Sequence, residues 1–525
     1  MTSPLLAVEE LTITTRRGRT LVDGVSFELA RGSRTGLIGE SGSGKSLTAL
    51  AILGLLPDNL HASGAITLDG RALTSMDDRA LCAVRGNDVS MVFQEPMTAL
   101  NPVMRVGNQV AEALVRHRGT PRGEALHMAA ELLGRVGVDE PGRRVRSFPH
   151  EMSGGQRQRV MIAMAIACGP DLVIADEPTT ALDVTVQAKV LDMLSEQVRA
   201  ASTALLLITH DLPLVSGATD DALVLREGRL VEQGPTRRVF AEPTNPHTRT
   251  LVEAVPPLSR PSAATGERPE PTARPPMVAL ESVRREFRLP RTRPLGPRDS
   301  LVAVDDISFR IGSGETYGLV GESGSGKTTV ARMLMGLDTP TSGRITWLGL
   351  GDADPRAAVQ MVFQDPMGSL DPRMRILDVV AEPLRALGIQ GDQRARVEEL
   401  LDAVHLPRDA TTKYPHEFSG GERQRIAIAR ALAPHPKVLV ADEPVSALDM
   451  SVRERTLTLL GELREEFGLT MLFISHDLSV VHEVCDRVGV LHHGRLVEEG
   501  PADAVLRTPS EAYTRTLVEA IPRLS

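Results

Sequence analysis

Cysteine, lysine and tryptophan are scarce in this chain of 525 residues. The three cysteines, Cys82, Cys168 and Cys485, lie far apart, which excludes a disulfide framework and a four-cysteine metal site. Where lysine persists against an arginine background, its compact ammonium group is a candidate for a specific role. Lysine supplies only five of the 59 basic residues, which are Lys45, Lys189, Lys327, Lys413 and Lys437.

Long apolar runs and an excess of positive charge are also missing. The longest apolar stretch, residues 160–175, is broken by Gly169, Pro170 and Asp171, so it falls short of the roughly 18 residues that span a bilayer. The opening MTSPLLAVEE has no basic segment followed by an apolar one, so we expect no secretory signal peptide. With 59 basic and 68 acidic residues, bulk electrostatic binding to nucleic acid is disfavoured. We therefore expect a soluble, cytosolic globular protein.

What the sequence does contain is a repeat of itself. GESGSGKS at 39–46 returns as GESGSGKT at 321–328, and MVFQEPM at 91–97 returns as MVFQDPM at 361–367. Three further pairs are MSGGQRQR and FSGGERQR, ADEPTTALD and ADEPVSALD, and ITHDL and ISHDL. The offset is 282 at the lysine, 270 at the glutamine and 266 from the serine–glycine element to the histidine. A period this long indicates a duplicated domain and not a solenoid of short units.

The repeat predicts two domains joined by a short linker. We place the first domain at residues 1–255, called the first copy below, and the second at 277–525, called the second copy. The linker, 256–276, reads PPLSRPSAATGERPEPTARPP and is too rich in proline and charge to bury a core. A second Pro/Arg stretch at 290–300 predicts a surface loop between early strands.

Apolar runs predict an α/β fold for each copy, with a parallel-rich sheet as its core. The runs 34–38 and 316–320 predict strands that lead into the glycine-rich loops. The runs 172–175 and 438–441 predict buried strands that end in Asp-Glu, and 204–208 and 471–474 predict further core strands. Between the glutamine and the serine–glycine element, at about 95–150 and 365–415, apolar residues at helical spacing predict a helical insert.

The strongest chemical signal is a loop of the form G-x-x-x-x-G-K-[ST], present once in each copy. Its glycines let successive backbone N–H groups turn around a phosphate chain, and the following helix directs its positive end at the same anion. The lysine then reaches the β- and γ-phosphates, and the final hydroxyl binds Mg²⁺. The predicted phosphate-binding residues are Gly39, Glu40, Ser41, Gly42, Ser43, Gly44, Lys45, Ser46, Gly321, Glu322, Ser323, Gly324, Ser325, Gly326, Lys327 and Thr328.

Two acidic residues end a buried strand in each copy. An acid at the carboxyl end of a parallel strand lies at the mouth of the sheet, beside the phosphate loop. Asp176 and Asp442 therefore suit a role in binding Mg²⁺, together with Ser46 and Thr328. Glu177 and Glu443 suit a general base, or a group that positions the attacking water.

Histidine and glutamine recur at further strand ends. His210 and His476 follow an apolar strand and precede Asp, and we interpret them as sensors of the γ-phosphate. Gln94 and Gln364 follow the apolar segment MVF. Their amides would reach Mg²⁺ or water, or relay movement to the helical insert. The alternative is that each glutamine is an ordinary turn residue at the end of a strand.

A second anion cradle is predicted at the start of another helix. Serine and glycine there expose N–H groups and a positive dipole, which duplicates the work of the phosphate loop. One nucleotide rarely needs two such cradles from one domain, so we expect each to serve a nucleotide held by the other copy. These residues are Ser153, Gly154, Gly155 and Gln156 in the first copy, and Ser419, Gly420, Gly421 and Glu422 in the second.

This set of motifs resembles the ABC ATPase family, with its Walker A loop, Q-loop, LSGGQ signature, Walker B strand, D-loop (181–183 and 447–449) and H-loop. The resemblance covers nearly the whole chain outside the linker. It implies tandem P-loop NTPase domains, each with an N-terminal antiparallel β subdomain, that sandwich two ATP molecules head to tail. Site one would pair the Walker A loop 39–46 with the signature 419–422, and site two would pair 321–328 with 153–156. Both sites are expected to hydrolyse ATP.

The resemblance also implies an aromatic residue that stacks on adenine, upstream of each Walker A loop. Phe287 fits this role in the second copy, whereas the first copy has Thr14 and Thr15 in that region. We therefore expect weaker ATP binding at site one. The signatures depart mildly from the family pattern. Met152 and Phe418 replace its leucine, and Glu422 replaces the last glutamine in the signature of the second copy.

Two repeated segments resemble the ATPase subunits of bacterial oligopeptide, dipeptide and nickel importers. They are PMTALNP and PMGSLDP after each Q-loop, and the endings NPHTRTLVEAVP at 245–256 and EAYTRTLVEAIP at 511–522. Tyr513 matches the family ending, and His247 replaces the usual tyrosine. The resemblance implies a peripheral subunit on the cytoplasmic face of a bacterial membrane, using ATP and Mg²⁺. Its partners would be two permease subunits and an extracytoplasmic substrate-binding protein.

Peptides are the first substrate class expected, with nickel chelates and other small solutes as alternatives. The competing class is a soluble tandem ABC ATPase acting in translation or DNA repair. The short Pro-rich joint, the lack of cysteine-based zinc modules and the acidic charge all disfavour that class. A nucleotide-binding regulator without turnover conflicts with the presence of both Glu177 and Glu443.

Overall fold

The computed structural model describes residues 3–40, 42–94, 99–179, 184–253, 274–288, 300–351, 354–446, 448 and 450–521. Most of residues 1–255 form one compact unit, and most of residues 256–521 form another. The predictions for Ser41, for 181–183, and for nearly all of the linker and of the loop at 290–300 lie outside the described residues, as does most of the D-loop at 447–449.

The first unit contains two sheets. In the antiparallel sheet the order is β2-β1-β4-β5, and in the six-stranded sheet it is β10-β9-β3-β8-β7-β6. All neighbours in the six-stranded sheet run parallel except β10, which pairs antiparallel with β9. The strands are β1 (Leu6–Thr15), β2 (Thr20–Leu29), β3 (Arg34–Ile38), β4 (Leu60–Leu68), β5 (Arg71–Ala72), β6 (Val89–Val92), β7 (Leu172–Asp176), β8 (Ala204–Thr209), β9 (Asp221–Arg226) and β10 (Arg229–Pro235).

Helices complete the first unit, with short 3₁₀ turns at Leu73–Ser75 and Pro149–Glu151. The helical insert consists of α3 to α5, whose apolar side packs against α6 through buried residues such as Leu114, Leu133 and Ile162. The helices are α1 (Lys45–Ile52), α2 (Asp78–Val84), α3 (Val106–Arg118), α4 (Arg122–Arg135), α5 (Pro141–Arg144), α6 (Gly154–Ile166), α7 (Val184–Ala201), α8 (Leu212–Ala218), α9 (Thr236–Ala241) and α10 (Pro246–Glu253).

The second unit repeats this plan. Its antiparallel sheet has the order β12-β11-β14, and its six-stranded sheet has the order β15-β16-β17-β13-β18-β19, parallel except for β19. The strands are β11 (Pro276–Arg288), β12 (Ser300–Gly312), β13 (Thr316–Val320), β14 (Ser342–Trp347), β15 (Val359–Val362), β16 (Val438–Asp442), β17 (Thr470–Ile474), β18 (Arg487–His492) and β19 (Arg495–Pro501).

The second helical insert spans α13 to α15, and 3₁₀ turns follow at Arg408–Thr412 and Pro415–Glu417. In the part of the chain that the structure describes, no helix is both long and apolar enough to cross a membrane. The helices are α11 (Lys327–Leu334), α12 (Pro355–Ala358), α13 (Pro366–Ser369), α14 (Ile376–Ala386), α15 (Gln393–Ala403), α16 (Gly420–Leu432), α17 (Met450–Phe467), α18 (Leu478–Val484), α19 (Ala502–Arg507) and α20 (Ala512–Glu519).

The central strands are apolar along their whole length because helices or the second sheet cover both faces. Every residue of β7, β8, β16 and β17 is buried. Two of these strands end where chemistry is expected, with Asp176 as the last residue of β7 and Asp442 as the last residue of β16. The predicted fold class, two α/β units with a helical insert and an antiparallel subdomain, is confirmed.

Candidate functional site

The glycine-rich loop of each unit connects a buried strand to a helix. In the first unit it lies between β3 and α1, and Gly44 adopts a left-handed backbone with φ of 101° as the residue before the helix. A Cβ at Gly39 would collide with the carbonyl oxygen of Leu225, so the loop passes too close to its neighbour for any larger residue. Gly321 and Gly326 repeat both features in the second unit.

The lysine of each loop is buried and held by the loop itself. Lys45 Nζ donates to the carbonyl oxygens of Gly39 and Glu40, at 2.7 and 2.9 Å. Lys327 makes the same bonds in the second loop, at 2.6 and 2.9 Å. Each side chain is only 6% exposed, so a buried positive charge lies against the backbone of the loop. That arrangement suits a polyphosphate, which would compete with the two carbonyls for the ammonium.

The loops also carry buried hydroxyls. Ser43 Oγ and Ser325 Oγ are buried and have no hydrogen-bond partner among the described residues. Buried polar atoms without a partner are rare, and they point to a ligand that completes the site.

An acid and a hydroxyl meet beside each loop. The hydroxyl of Ser46 lies near enough to Asp176 to act on its pKa, and Thr328 stands in the same relation to Asp442. Burial is the main reason that the pKa of each acid is raised to about 6, and the neighbouring glutamate adds to the rise. Asp176 Oδ1 is buried without a partner. The described residues contain no group of three or more His, Cys, Asp or Glu that would bind a metal alone. One carboxylate with one hydroxyl fits Mg²⁺, which keeps water and phosphate oxygens as its other ligands.

A glutamine, a glutamate and a histidine converge in each unit. In the first unit, Glu177 Oε2 accepts from Gln94 Nε2 at 2.8 Å, and Glu177 Oε1 lies 3.0 Å from His210 Nδ1. The structure therefore brings Gln94, placed at a Mg²⁺ or water position by sequence, directly to the glutamate. We call this arrangement the Gln–Glu–His triad.

The second unit builds the same triad. Glu443 Oε2 accepts from Gln364 Nε2 at 2.7 Å, and Glu443 Oε1 lies 3.1 Å from His476 Nδ1. Burial acts to raise the pKa of Glu443, but the hydrogen bond and charge of His476 and the charge of Lys327 lower it overall. A lowered pKa keeps Glu443 ionised at neutral pH, as an acceptor of a proton from water must be.

The backbone aims both glutamates at the site. Glu177 and Glu443 have φ of 46° and 48°, a left-handed conformation that non-glycine residues avoid. Their backbone N–H groups donate to Ile208 and Ile474, which ties each turn to the adjacent strand. Strain of this kind persists where the surrounding structure imposes it, and it turns the side chain away from the course of the strand.

The serine–glycine elements begin α6 and α16 with a reciprocal cap. Ser153 Oγ accepts from the N–H of Gln156, and Gln156 Oε1 accepts from the N–H of Ser153. Ser419 and Glu422 repeat the exchange, and their hydrogen bonds lower the pKa of Glu422. This capping box explains why the fourth residue can be either glutamine or glutamate, since both supply the accepting oxygen.

Phe287 lies at the end of β11 and is half-buried, with the Arg285 guanidinium 4.6 Å from its ring centroid. Glu10 and Ser282 share a left-handed backbone, with φ of 49° and 48°, and Thr15 and Phe287 each follow five residues later. Thr15 is therefore the counterpart of Phe287. Sequence reasoning identified the ring but missed the arginine that covers it.

Sequence reasoning also missed a contact between the C-terminal ending and the phosphate loop. Tyr513 Oη accepts a hydrogen bond from the N–H of Glu322 at 3.2 Å. The repetition of the ending in both copies was the available signal, but nothing in its spacing indicated that it folds back onto the loop.

A phosphate loop, a strand-end acid and a Gln–Glu–His triad, repeated in two units, define a P-loop nucleotide hydrolase. The ABC transporter family profile matches residues 22–180 and 304–446, more than half of the chain. A profile described as the oligopeptide/dipeptide transporter C-terminal region matches 231–276 and 497–525. The chain belongs to the ABC transporter family, as an ATP-binding protein with two ATPase domains.

Three curated relatives match over nearly their full length. The peptidoglycan transport ATP-binding protein YejF of Agrobacterium fabrum is 44% identical, over 99% of this chain and 96% of the relative. The oligopeptide transport ATP-binding protein OppD of Mycobacterium bovis is 41% identical, over 99% of both chains. The glutathione import ATP-binding protein GsiA of Salmonella typhimurium is 43% identical, over 95% of this chain and 86% of the relative. The predicted family and its ATPase activity are confirmed.

Proposed function

We propose that this protein is the ATP-hydrolysing, energy-coupling subunit of a bacterial importer for peptides or related small solutes. The observation that carries this proposal is the pair of matching Gln–Glu–His triads, each beside a complete phosphate loop. The names of the relatives support the substrate class, because peptidoglycan, oligopeptides and glutathione all contain peptide linkages.

We place the triphosphate of each ATP in one of the two glycine-rich loops, with the lysine on its terminal phosphates. Mg²⁺ would be held by Ser46, Asp176 and Gln94 in the first copy, and by Thr328, Asp442 and Gln364 in the second. Bound there, the cation would neutralise charge on the phosphate oxygens. The buried and unpartnered Asp176 Oδ1 and the proximity of each acid to the neighbouring hydroxyl support this assignment.

Hydrolysis would be driven by the glutamate of each triad. Its carboxylate accepts a proton from water while the water oxygen attacks the γ-phosphorus, and the bond to the β-phosphate oxygen breaks to release ADP. His210 and His476 hold one carboxylate oxygen and sense the γ-phosphate, while Gln94 and Gln364 orient the other. Two groups on each carboxylate restrict its rotation, which keeps the base aligned with the water.

Each ATP-binding site would be completed by the signature of the opposite copy, in a head-to-tail arrangement. The signatures 153–156 and 419–422 begin long helices, and their first two residues are exposed, so they are available to a second surface. The positive end of each helix suits the γ-phosphate of the partner site.

Coupling would run through the helical inserts to two permease subunits, placing the protein at the cytoplasmic face of the membrane. Exposed apolar residues flank each triad glutamine. Phe93 and Val103 are 39% and 82% exposed in the first unit, and Phe363 and Met367 are 40% and 46% exposed in the second. Apolar surface at this position fits the short cytoplasmic helices of a permease. An extracytoplasmic binding protein would select the substrate.

The proposal is tested by isolating the tagged chain from gently solubilised membranes and identifying what accompanies it. We expect two polytopic permeases, and their loss in a Val103→Asp, Met367→Asp variant. The matched control is Leu55→Asp, Leu337→Asp, which changes two exposed apolar residues outside the insert and should keep the permeases. Recovery of ribosomes or DNA-repair proteins instead would overturn the importer assignment.

A further inference from the structure

A side chain of the last described helix of the second unit contacts the phosphate loop of that unit. Tyr513, in the first turn of α20, accepts the N–H of Glu322 through Oη at 3.2 Å. Its ring stacks on His492 at the end of β18, with centroids 3.7 Å apart and planes inclined by 20°. The hydroxyl is therefore held at a fixed position against the second residue of the loop.

The backbone carbonyl and the backbone N–H of Glu322 each make a hydrogen bond to a different side chain. Lys327 Nζ, the phosphate-binding lysine, donates to the carbonyl oxygen of Glu322 at 2.9 Å, while Tyr513 accepts from its N–H. A change at Tyr513 would consequently reach the lysine through a single residue. This short path is the reason to expect an effect on nucleotide binding.

The start of α20 is itself anchored. Glu498 of β19 accepts hydrogen bonds from the N–H and Oγ of Ser510, at 2.8 and 2.6 Å, and from the N–H of Glu511 at 3.2 Å. Burial acts to raise the pKa of Glu498, but these hydrogen bonds lower it overall. An ionised carboxylate with several donors makes a firm support for the helix that carries Tyr513.

The first unit has the same anchor but a different side chain at the contact. Glu232 accepts from the N–H and Oγ1 of Thr244, at 2.9 and 2.7 Å, and from the N–H of Asn245 at 3.1 Å. The counterpart of Tyr513 is His247, two residues after Asn245, which is 8% exposed and whose Nε2 has no partner among the described residues. Burial lowers its pKa, and the charge of Glu40, the second residue of the first phosphate loop, opposes that shift.

We propose that Tyr513 is a positioning residue for the phosphate loop of the second copy, and that His247 leaves the first copy without this support. The inference rests on the proposed binding of ATP by the two loops. Its consequence is that the second loop binds nucleotide more tightly, independently of any contact to adenine.

The test measures equilibrium binding of trinitrophenyl-ATP with Mg²⁺ to the full chain. A Lys45→Ala background reports the second loop, and Tyr513→Phe then removes only the hydroxyl while keeping the ring on His492. We expect binding to weaken by about three- to tenfold, the size of one hydrogen bond, with an unchanged melting temperature. The matched control is Tyr317→Phe, which removes a buried hydroxyl that donates to Glu499 and does not touch the loop.

The reverse exchange is made in a Lys327→Ala background, where His247→Tyr should tighten binding at the first loop by a similar factor. Failure of the Lys45→Ala parent to bind nucleotide would contradict the proposed function itself. Binding by that parent with the same affinity in Tyr513→Phe would overturn the positioning role alone. An equal loss in Tyr317→Phe would overturn it too, because the effect would then follow from general destabilisation.

Discussion

The two copies agree in their Gln–Glu–His triads and differ around them. The distances within the two Gln–Glu–His triads match to about 0.1 Å, and both acids beside the loops have a pKa raised to about 6. Around these centres, Thr15 stands where the second copy has Phe287, and His247 stands where it has Tyr513. The duplicated halves thus share the groups that we propose for hydrolysis and differ in those that we propose to bind the nucleotide and to support its loop.

This division has a physical reason. Proton transfer needs the base within hydrogen-bond reach of the water, so a small displacement of the glutamate is costly. A stacking ring or a supporting hydroxyl changes binding by a modest factor and leaves the reaction intact. The predictions below test both sides of the comparison.

The largest effect should come from the triad glutamates. Replacing both, Glu177→Gln with Glu443→Gln, should keep ATP binding and lower turnover by roughly 10²–10⁴, because the proton acceptor is lost. The two single variants, assayed for phosphate release, should lose activity to the same extent as each other. Hydrolysis at the original rate in the double variant would rule out the glutamates as bases.

The loop lysines should come next. Lys45→Ala and Lys327→Ala each remove a buried charge that suits the terminal phosphates, and each should lower ATPase activity by about ten- to a hundredfold. Similar losses are expected because the two lysines make the same contacts in their own loops. Full activity in either variant would show that one copy works without the other.

The strand-end acids should affect stability as well as Mg²⁺ binding. Their pKa is raised from 3.8 to about 6 in the folded chain, so the unfolded chain releases these protons at a lower pH than the folded chain. The free energy of unfolding therefore falls as pH rises from about 4 to about 6, and it stays lowered at higher pH. Asp176→Asn and Asp442→Asn should each stabilise the nucleotide-free protein at pH 8 by about 1–3 kcal/mol, with little gain at pH 4. Denaturant unfolding at the two pH values checks this, and destabilisation at pH 8 would contradict it.

The smallest effect should come from the adenine contact. Phe287→Ala should weaken ATP binding at the second loop by about three- to tenfold, the range expected for one aromatic contact. Thr15→Phe should strengthen binding at the first loop, measured by titration in the Lys327→Ala background. Phe287→Tyr is the control that keeps a ring. Equal ATP affinities in Lys45→Ala and Lys327→Ala, with no other substitution, would contradict the expected difference between the two loops.

Much of the fold could be predicted from sequence because the central strands of its six-stranded sheets are buried. The predicted strands 34–38 and 316–320 have the observed bounds, and 172–175 and 438–441 extend by one residue to include the acid. Burial on both faces produces an uninterrupted apolar run, and the glycine-rich loop marks where it ends.

Contacts between distant segments could not be predicted. The bonds that join Gln94 to Glu177, and Tyr513 to Glu322, span 83 and 191 residues. No local period encodes them, since they depend on the order of strands in the sheet and on the course of the C-terminal helix. The capping boxes of the signatures follow a local pattern, serine with glutamine or glutamate three residues later, but the glycines between them equally fit an anion site.

The central claim is that each copy completes the ATP site of the other, and cross-linking tests it most directly. In a chain without its native cysteines and with a protease site in the 256–276 linker, Glu40→Cys is combined with Gly420→Cys, or with Gly154→Cys as the control. A Cβ at either glycine would meet no atom within 4 Å. After ATP, a short bifunctional cross-linker and cleavage, the account predicts that only the first pair keeps the two halves joined in one monomer-sized band. Separation of the halves with that pair, with cross-linking confined to the Gly154 control, would contradict the claim.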